Sequence, residues 1–346
     1  MKKRILHILN STTYSGAENV VFSIIQHLNG YEFAYVSRKG EIQKKLEIYG
    51  ITYYLVDKLT VKEIKRCILD FKPDIIHAHD FTASILSSFL NFKIPVISHL
   101  HNNPPWIKRY GIKSFLYRFT LGRYKEILLV SEAILAEYVF RKKLEQKAVV
   151  VYNPVDFNKI KSMAQQKQNC VEKYDIINLG RLSEQKNPKL FIKIIEECIK
   201  NKLPIKAAMI GNGELYDDVK AYIYEKHMEE HIFLLGFKDN PYIYLQQSKI
   251  LCIPSLWEGF GMAAVEALVL GKPVISSCMG GLPGIVNNSC GKVCYSKKEY
   301  VEEIVKLILD KEYYKQKSIG AVKRAEDLYQ KIDYYNNIMQ LYQKLL

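Results

Sequence analysis

The chain has 346 residues, more than a single ordinary core organises, so two domains are expected. With 48% hydrophobic and 25% charged residues the composition is that of a globular protein, and a disordered or fibrous chain is excluded. The formal charge of +14 is uneven: residues 1–150 hold 23 Lys+Arg against 13 Asp+Glu, residues 151–346 hold 27 against 23, and such a basic first half suits nucleic acid or an anionic membrane.

Lys3 to Leu9 reads as a first strand, followed by the polar loop Asn10 to Ser15. Gly16-Ala17-Glu18 then opens a helix with Val20, Val21, Ile24, Ile25 and Leu28 on its apolar face. A strand, a glycine and a helix in succession leave free N–H groups at the strand's carboxyl end, a place for an anion. Further strands are predicted at Phe33–Val36, Thr52–Val56, Asp74–Ala78, Val96–Leu100, Ile127–Val130 and Val149–Tyr152. Helices are predicted between them at Val61–Phe71, Lys113–Leu121 and Glu132–Lys143, and the alternation implies a parallel sheet covered on both faces. His77 and His79, and again His99 and His101, are two apart, so each pair shares one face of a strand. Such pairs can bind metal, but no clustered carboxylates or cysteines complete a site, and hydrogen-bonded structure is the ordinary role. His101, before Asn102-Asn103-Pro104-Pro105, is the histidine best placed to face a cleft. Trp106 to Lys125 carries Lys108, Arg109, Lys113, Arg118, Arg123 and Lys125 and no acid, with Ile112, Phe115, Leu116 and Phe119 at helical spacing. Two readings stand level: a helix for an anionic membrane surface, or a core-packing helix with a solvated basic face.

Asn153-Pro154-Val155-Asp156 breaks the pattern, and the polar run Asn158 to Glu172 reads as the interdomain linker. The second alternation predicts strands at Ile176–Leu179, Lys206–Ile210, Ile232–Leu235, Ile250–Ile253 and Val274–Ser276, with helices at Pro188–Asn201, Leu215–Lys226 and from Met262. Arg181 and Lys186, five apart on the loop after the first of these strands, could grip a diphosphate, or be two solvated cations in a lysine-rich chain. The glycine turns holding Gly211 and the pair Gly236-Phe237 lie at strand ends of the same domain, where they could wall a base and a ribose. Between Ile250 and Ser277, Gly259 and Gly261 bracket a tight turn, and Met262 to Leu270 reads as a helix closed by Gly271. Free N–H groups at Gly261 and Met262 suit a phosphate. Glu258 in the turn and Glu266 in the helix would repel a phosphate but would accept hydrogen bonds from hydroxyls flanking one, as in a nucleotide sugar. The ordinary reading makes Glu258 a helix-entry charge and Glu266 a surface position, yet Ala263, Ala264, Val265, Ala267 and Leu268 leave Glu266 little solvated face. The tail, Val301 to Leu346, is predicted to be helical.

No apolar run reaches bilayer-spanning length, and Met1-Lys2-Lys3-Arg4 lacks the long apolar stretch a signal peptide needs after it. Cys67, Cys170, Cys198, Cys252, Cys278, Cys290 and Cys294 are scattered, mostly in apolar contexts, which suggests reduced thiols and a cytoplasmic protein. No Asp-x-Asp pair occurs.

Pro254-Ser255-Leu256-Trp257-Glu258-Gly259-Phe260-Gly261 through Glu266, with Gly271-Lys272-Pro273 and Gly280-Gly281-Leu282-Pro283, resembles the glutamate-x7-glutamate signature of retaining family 4 glycosyltransferases. The similarity extends to Ser15-Gly16-Ala17-Glu18, to Asp74-Ile75-Ile76-His77-Ala78-His79, to His101-Asn102, to Asn153-Pro154-Val155-Asp156, to Gly180-Arg181-Leu182 with Lys186-Asn187, and to Gly211-Asn212-Gly213. It implies an α/β protein of GT-B architecture, two facing Rossmann-like domains with a nucleotide-sugar cleft between them. These would be an acceptor-side domain over residues 1–157 and a donor-nucleotide domain over 158–329, with the last helix, 330–346, packing back on the first. Arg181 and Lys186 would then bind the donor diphosphate, Glu258 the sugar hydroxyls and Glu266 the ribose, while Gly16 approaches the phosphates and His101 lines the reaction centre. Ser15 and Gly284 depart from the family pattern, which commonly has glycine and glutamate there. The implied reaction is metal-independent and retaining, needs no cofactor beyond a nucleotide-diphosphate sugar, UDP-linked by family frequency, and takes a saccharide or lipid-linked saccharide acceptor. A nucleotide-sugar 2-epimerase of similar fold is the rival reading, and a basic nucleic-acid-binding protein a more distant one.

Overall fold

The computed structural model describes residues 2–90, 93–166, 172–330 and 333–346. Two compact units divide it: Met1–Pro154 together with Ile332–Leu346, and Val155–Lys331. The first holds strands β1 (Lys3–Ile8), β2 (Tyr31–Arg38), β3 (Thr52–Val56), β4 (Ile75–Ala78), β5 (Val96–Leu100), β6 (Glu126–Leu129) and β7 (Ala148–Val150). They pair in parallel in the order β3-β2-β1-β4-β5-β6-β7. The second holds β8 (Ile176–Leu179), β9 (Ala207–Ile210), β10 (Ile232–Gly236), β11 (Ile250–Ile253), β12 (Val274–Ser277) and β13 (Gly291–Cys294), parallel in the order β10-β9-β8-β11-β12-β13. Strands such as Ile75–Ala78 and Ile250–Ile253 are buried along their whole length, as helices on both faces of a parallel sheet require. Each order reverses once, between β1 and β4 and between β8 and β11. There the loops leaving adjacent strands diverge to opposite faces and open a crevice at the strands' carboxyl ends.

The terminal helix Tyr334–Leu345 lays Tyr334, Ile338 and Tyr342 into the first unit's core beside Ile5, Ile75 and Ile97. Residues 331 and 332 of the segment expected to pack there, 330–346, lie outside the described residues. The tail before it is two helices, Lys297–Leu309 and Lys311–Tyr329, in the second unit.

Several expectations are corrected. The expected linker starts as a helix, Phe157–Ala164, capped by Asp156 and buried through Ile160 and Ala164. It packs on the helices Tyr242–Gln247 and Met262–Val269, so the second unit begins at Val155. Residues 167–171 of that linker, with Cys170, lie outside the described residues. The helix expected over Glu132–Lys143 is two short ones, Glu132–Glu137 and Arg141–Leu144, because the chain runs extended at Tyr138 to bury that ring and direct its hydroxyl to Ser114 O. Ile112–Thr120 is a helix, but it is not turned as its apolar spacing suggests for a core element. Ser114, Tyr117 and Thr120 face inward, and Ile112, Phe115, Leu116 and Phe119 face solvent. Hydrogen bonds hold it this way round, from the pairing of Tyr117 Oη with Ser98 Oγ at 2.9 Å and of Thr120 Oγ1 with Tyr124 Oη at 2.7 Å.

Candidate functional site

In the second unit the crevice between β8 and β11 gathers most of the residues singled out from the sequence. β8 runs into Gly180, whose φ of +152 turns the chain, and then into Arg181 and a short 3-10 turn, Glu184–Lys186. β11 runs into Pro254 and the loop holding Glu258. The two loops are tied by backbone and amide contacts: Leu256 N donates to Gln185 O at 2.8 Å, and Gln185 Nε2 to Trp257 O at 3.1 Å. This registry lets Lys186 Nζ reach both carboxylate oxygens of Glu258, at 3.0 and 2.7 Å. Both side chains are mostly withdrawn from water, with 21% of Lys186 and 10% of Glu258 exposed. Each charge is therefore balanced by the other, which a crevice of low dielectric demands.

Glycines bring backbone close to this pair. A side-chain carbon on Gly211 would stand 2.0 Å from Gly180 O, and one on Gly213 would stand 2.4 Å from Leu182 O. Gly180 itself lies against the Lys186 side chain. Arg181 is exposed, its Nε 4.0 Å from the Glu214 carboxylate, so its guanidinium is held only loosely. On the β11 side Gly261 takes a φ of +100 directly before the helix Met262–Val269, and Gly281 packs on the backbone of Gly259 and Phe260. These contacts hold the turn so that the helix's first N–H groups, from Met262 on, stay free of side-chain caps.

Glu266 is half-buried, one helical turn inside. Burial pushes its carboxyl up to about 7, against the lowering effects of the Tyr242 hydroxyl, 3.3 Å from Oε1, and of the Lys186 charge. Lys186 therefore acts on both glutamates, by contact on Glu258 and through space on Glu266. Phe237 is 55% exposed just beyond β10, an edge strand. Gln185 belongs to this constellation although nothing in the sequence marks it, and Gly213 lies in the Gly211-Asn212-Gly213 turn expected to wall the site.

In the first unit Gly16 is the first residue of the helix Gly16–His27, with nothing within 4 Å of where a side chain would begin. The preceding Ser15 N donates to Glu18 Oε2 at 2.9 Å, closing a capping box with a buried glutamate. His101 does not stand alone. The register β1–β4–β5 sets His7, His77, His79, His99 and His101 side by side on one sheet face. His7 Nδ1 lies 2.8 Å from His79 Nε2, and His79 Nδ1 lies 3.0 Å from His101 Nε2. A second row runs from Tyr342 Oη to His77 Nδ1 at 2.7 Å and on from His77 Nε2 to His99 Nδ1 at 3.2 Å. Burial lowers all five pKa values, to about 3 for His7 and His101 and well below the ordinary value for His77, His79 and His99. They are thus neutral imidazoles, each with one N–H to give, so each row must run in a single direction. Two trios, His7-His77-His79 and His79-His99-His101, bring ring nitrogens within metal-ligand reach of one another. His79 is common to both, and each of its nitrogens already faces another ring.

Residues 159–324 match the family described as glycosyl transferases group 1, and residues 14–159 match glycosyltransferase family 4. An uncharacterized glycosyltransferase of Methanocaldococcus jannaschii is 28% identical over 71% of this chain and 69% of its own. An N-acetylgalactosaminyltransferase of Campylobacter jejuni that acts on a diphospho-undecaprenol-linked saccharide is 32% identical, over 38% of this chain and 34% of its own. Among solved structures, HepE of Anabaena in complex with UDP and glucose superposes with a TM-score of 0.84, at 18% identity, over 99% of this chain and 100% of that one.

Proposed function

The chain belongs to the glycosyl transferases of group 1 and family 4, with the GT-B fold, and on that premise we propose that it moves a sugar from a UDP-linked donor, with retention of configuration, to a lipid-linked saccharide. Use of a nucleotide sugar, in polysaccharide biosynthesis, follows from the family and its relatives. The donor base, the stereochemistry and the acceptor are the proposed part. UDP is supported by the ligand of HepE and by a relative described as a UDP-Gal-dependent galactosyltransferase of Escherichia coli, and a lipid-linked acceptor by the undecaprenol-linked substrates in the names of that enzyme and of the Campylobacter one.

The observation that carries the reading is the Lys186–Glu258 pair, set where β8 and β11 diverge, beside a glycine-lined loop and an uncapped helix start. One ammonium can serve a diphosphate while its carboxylate partner accepts hydroxyls from the sugar attached to it. Arg181 adds a second, loosely held cation, and the N–H groups at Met262 add a third source of positive potential. These fixed charges would stabilise the departing diphosphate without a divalent metal, so catalysis rests on positioning and electrostatics. His101 and Gly16 are assigned to the reaction centre and the phosphates on the resemblance alone.

The test is calorimetry with UDP. Arg181 is exposed, so Arg181→Ala leaves the fold intact and removes one charge-assisted bond, about 1.5–3 kcal/mol or one to two decades in affinity. Lys186→Ala is the poorer probe, because it strands the Glu258 carboxylate at a cost on the order of 3 kcal/mol in stability. Unchanged UDP affinity in Arg181→Ala would remove Arg181 from the diphosphate site. Transfer abolished by EDTA and restored by manganese would overturn the metal-independent mechanism. Epimerisation of a UDP-sugar with no acceptor present would replace transfer by the rival reaction.

A further inference from the structure

We infer that the outward face of the helix Ile112–Thr120 docks the protein on a lipid bilayer bearing anionic headgroups. A helix on a protein surface ordinarily turns its apolar residues inward and its polar ones to water. This one does the reverse. Ser114, Tyr117 and Thr120 are buried, while Ile112 is 83% exposed and Phe119 67% exposed, with Phe115 and Leu116 between them also exposed. At 100° per residue these four positions fall on one stripe, and Lys113 and Arg118 fall on either side of it. That is the layout of a helix lying in a membrane interface, its apolar stripe in the acyl boundary and its long cations reaching sideways to headgroups.

The patch continues past the helix. Tyr110 is exposed at its start, and at its end the Arg123 guanidinium lies 5.7 Å from the Phe119 ring and 5.1 Å from that of the exposed Phe89. Behind it Phe115 packs on Phe140 at 4.9 Å and Arg118 covers that ring at 5.1 Å, so the stripe rests on a firm base. Arg109, Lys113 and Lys125 add exposed positive charge, and no acid occurs from Trp106 to Lys125. The absence of acids argues against a second copy of this face, since two such patches would meet with like charges. A docked helix also differs from a spanning one: no helix of the described residues is long and apolar enough to cross a membrane. The inference is independent of the donor chemistry and stands or falls on a binding measurement alone.

The experiment is sedimentation of the full chain with vesicles of phosphatidylcholine alone or with 30 mol % phosphatidylglycerol, a composition on the order of an anionic cell membrane, in low and in high salt. Retention by the anionic vesicles, weakened by salt, is expected, with little retention by the neutral ones. Ile112→Ser with Phe119→Ser removes only exposed apolar groups, and Arg109→Gln with Lys113→Gln removes only exposed charge. Each double variant should lower the partition coefficient by about tenfold or more, while UDP-induced thermal stabilisation stays at the wild-type value. Indifference of the wild type to anionic vesicles at low salt would overturn the inference, as would equal binding to both vesicle types or binding that neither double variant weakens. Light scattering decides the remaining occupant: a wild-type dimer that Ile112→Ser with Phe119→Ser dissociates would assign this face to a second copy of the chain.

Discussion

A single carboxyl shows how far residue chemistry could be read in advance. Glu266 stood out because its neighbours in the sequence are apolar, and it is half-buried with its carboxyl raised from 4.5 to about 7. In the folded protein it holds its proton more tightly than in the unfolded chain, so it detracts from stability increasingly as pH rises from about 4.5 to 7. The ligand should reverse that preference, because ribose hydroxyls donate to the ionised form. UDP affinity is therefore expected to rise with pH through 7, by up to about tenfold between pH 6 and pH 8. In Glu266→Gln only the nucleotide's own titration should remain, and an unaltered pH profile in that variant would detach Glu266 from the ribose. What the sequence did not disclose is that Lys186, expected on the diphosphate, also grips Glu258. That contact depends on Gln185 bridging to Trp257 O, 72 residues away, and no local pattern encodes it. His7 was likewise passed over, since its role arises only when strand register brings it opposite His77.

At the scale of elements, strand and helix alternation was legible because buried strands and amphipathic helices carry different periods. The failures have physical causes. Gly291–Cys294 is a four-residue edge strand with a lysine in it, too short to show a period. The helix Ile112–Thr120 has the right period, but a period reveals only that a face exists and not which way it turns. Phe157–Ala164 looked like a linker because only two of its eight residues are buried. Gly211 and Gly16, both expected at the site, meet different surroundings. Gly211 has a φ of +144 and no room for a side chain, so Gly211→Ala should destabilise the second unit by at least about 2 kcal/mol. Gly16 has open space at a helix start, so alanine fits there without strain. Gly16→Ala should therefore keep or raise the melting temperature while lowering transfer, since only a substrate could need that space. Full activity in a stable Gly16→Ala variant would make Gly16 an ordinary helix start.

The whole molecule combines two sheets that share the order of their first six strands, and the first unit's buried histidines respond to acid oppositely to Glu266 of the second. In the first unit five neutral histidines share one sheet face, and Tyr342 from the terminal helix caps one row at His77. Unfolded histidines protonate near 6.5, whereas in the folded unit burial holds His7 and His101 down to about 3 and the other three well below the ordinary value. Between those limits the unfolded state binds more protons, so the unit's stability is intact above pH 6.5 and falls as pH drops, by about 1.4 kcal/mol per pH unit for each histidine. In the second unit Glu266 works the other way, gaining stability as pH falls from 7 toward 4.5. The first unit should thus fail first in mild acid. The chain has two tryptophans, Trp106 in the first unit and Trp257 in the second, so each unit has its own fluorescent reporter. With Trp257→Phe, the urea midpoint reported by Trp106 is expected to fall steeply between pH 7.5 and pH 5. With Trp106→Phe, the midpoint reported by Trp257 should stay level or rise. Replacing His79, which joins His7 to His101, by asparagine should flatten the first curve and leave the second untouched. If both reporters lost stability in parallel, acid would be acting on general charge repulsion in this basic chain rather than on the histidine rows.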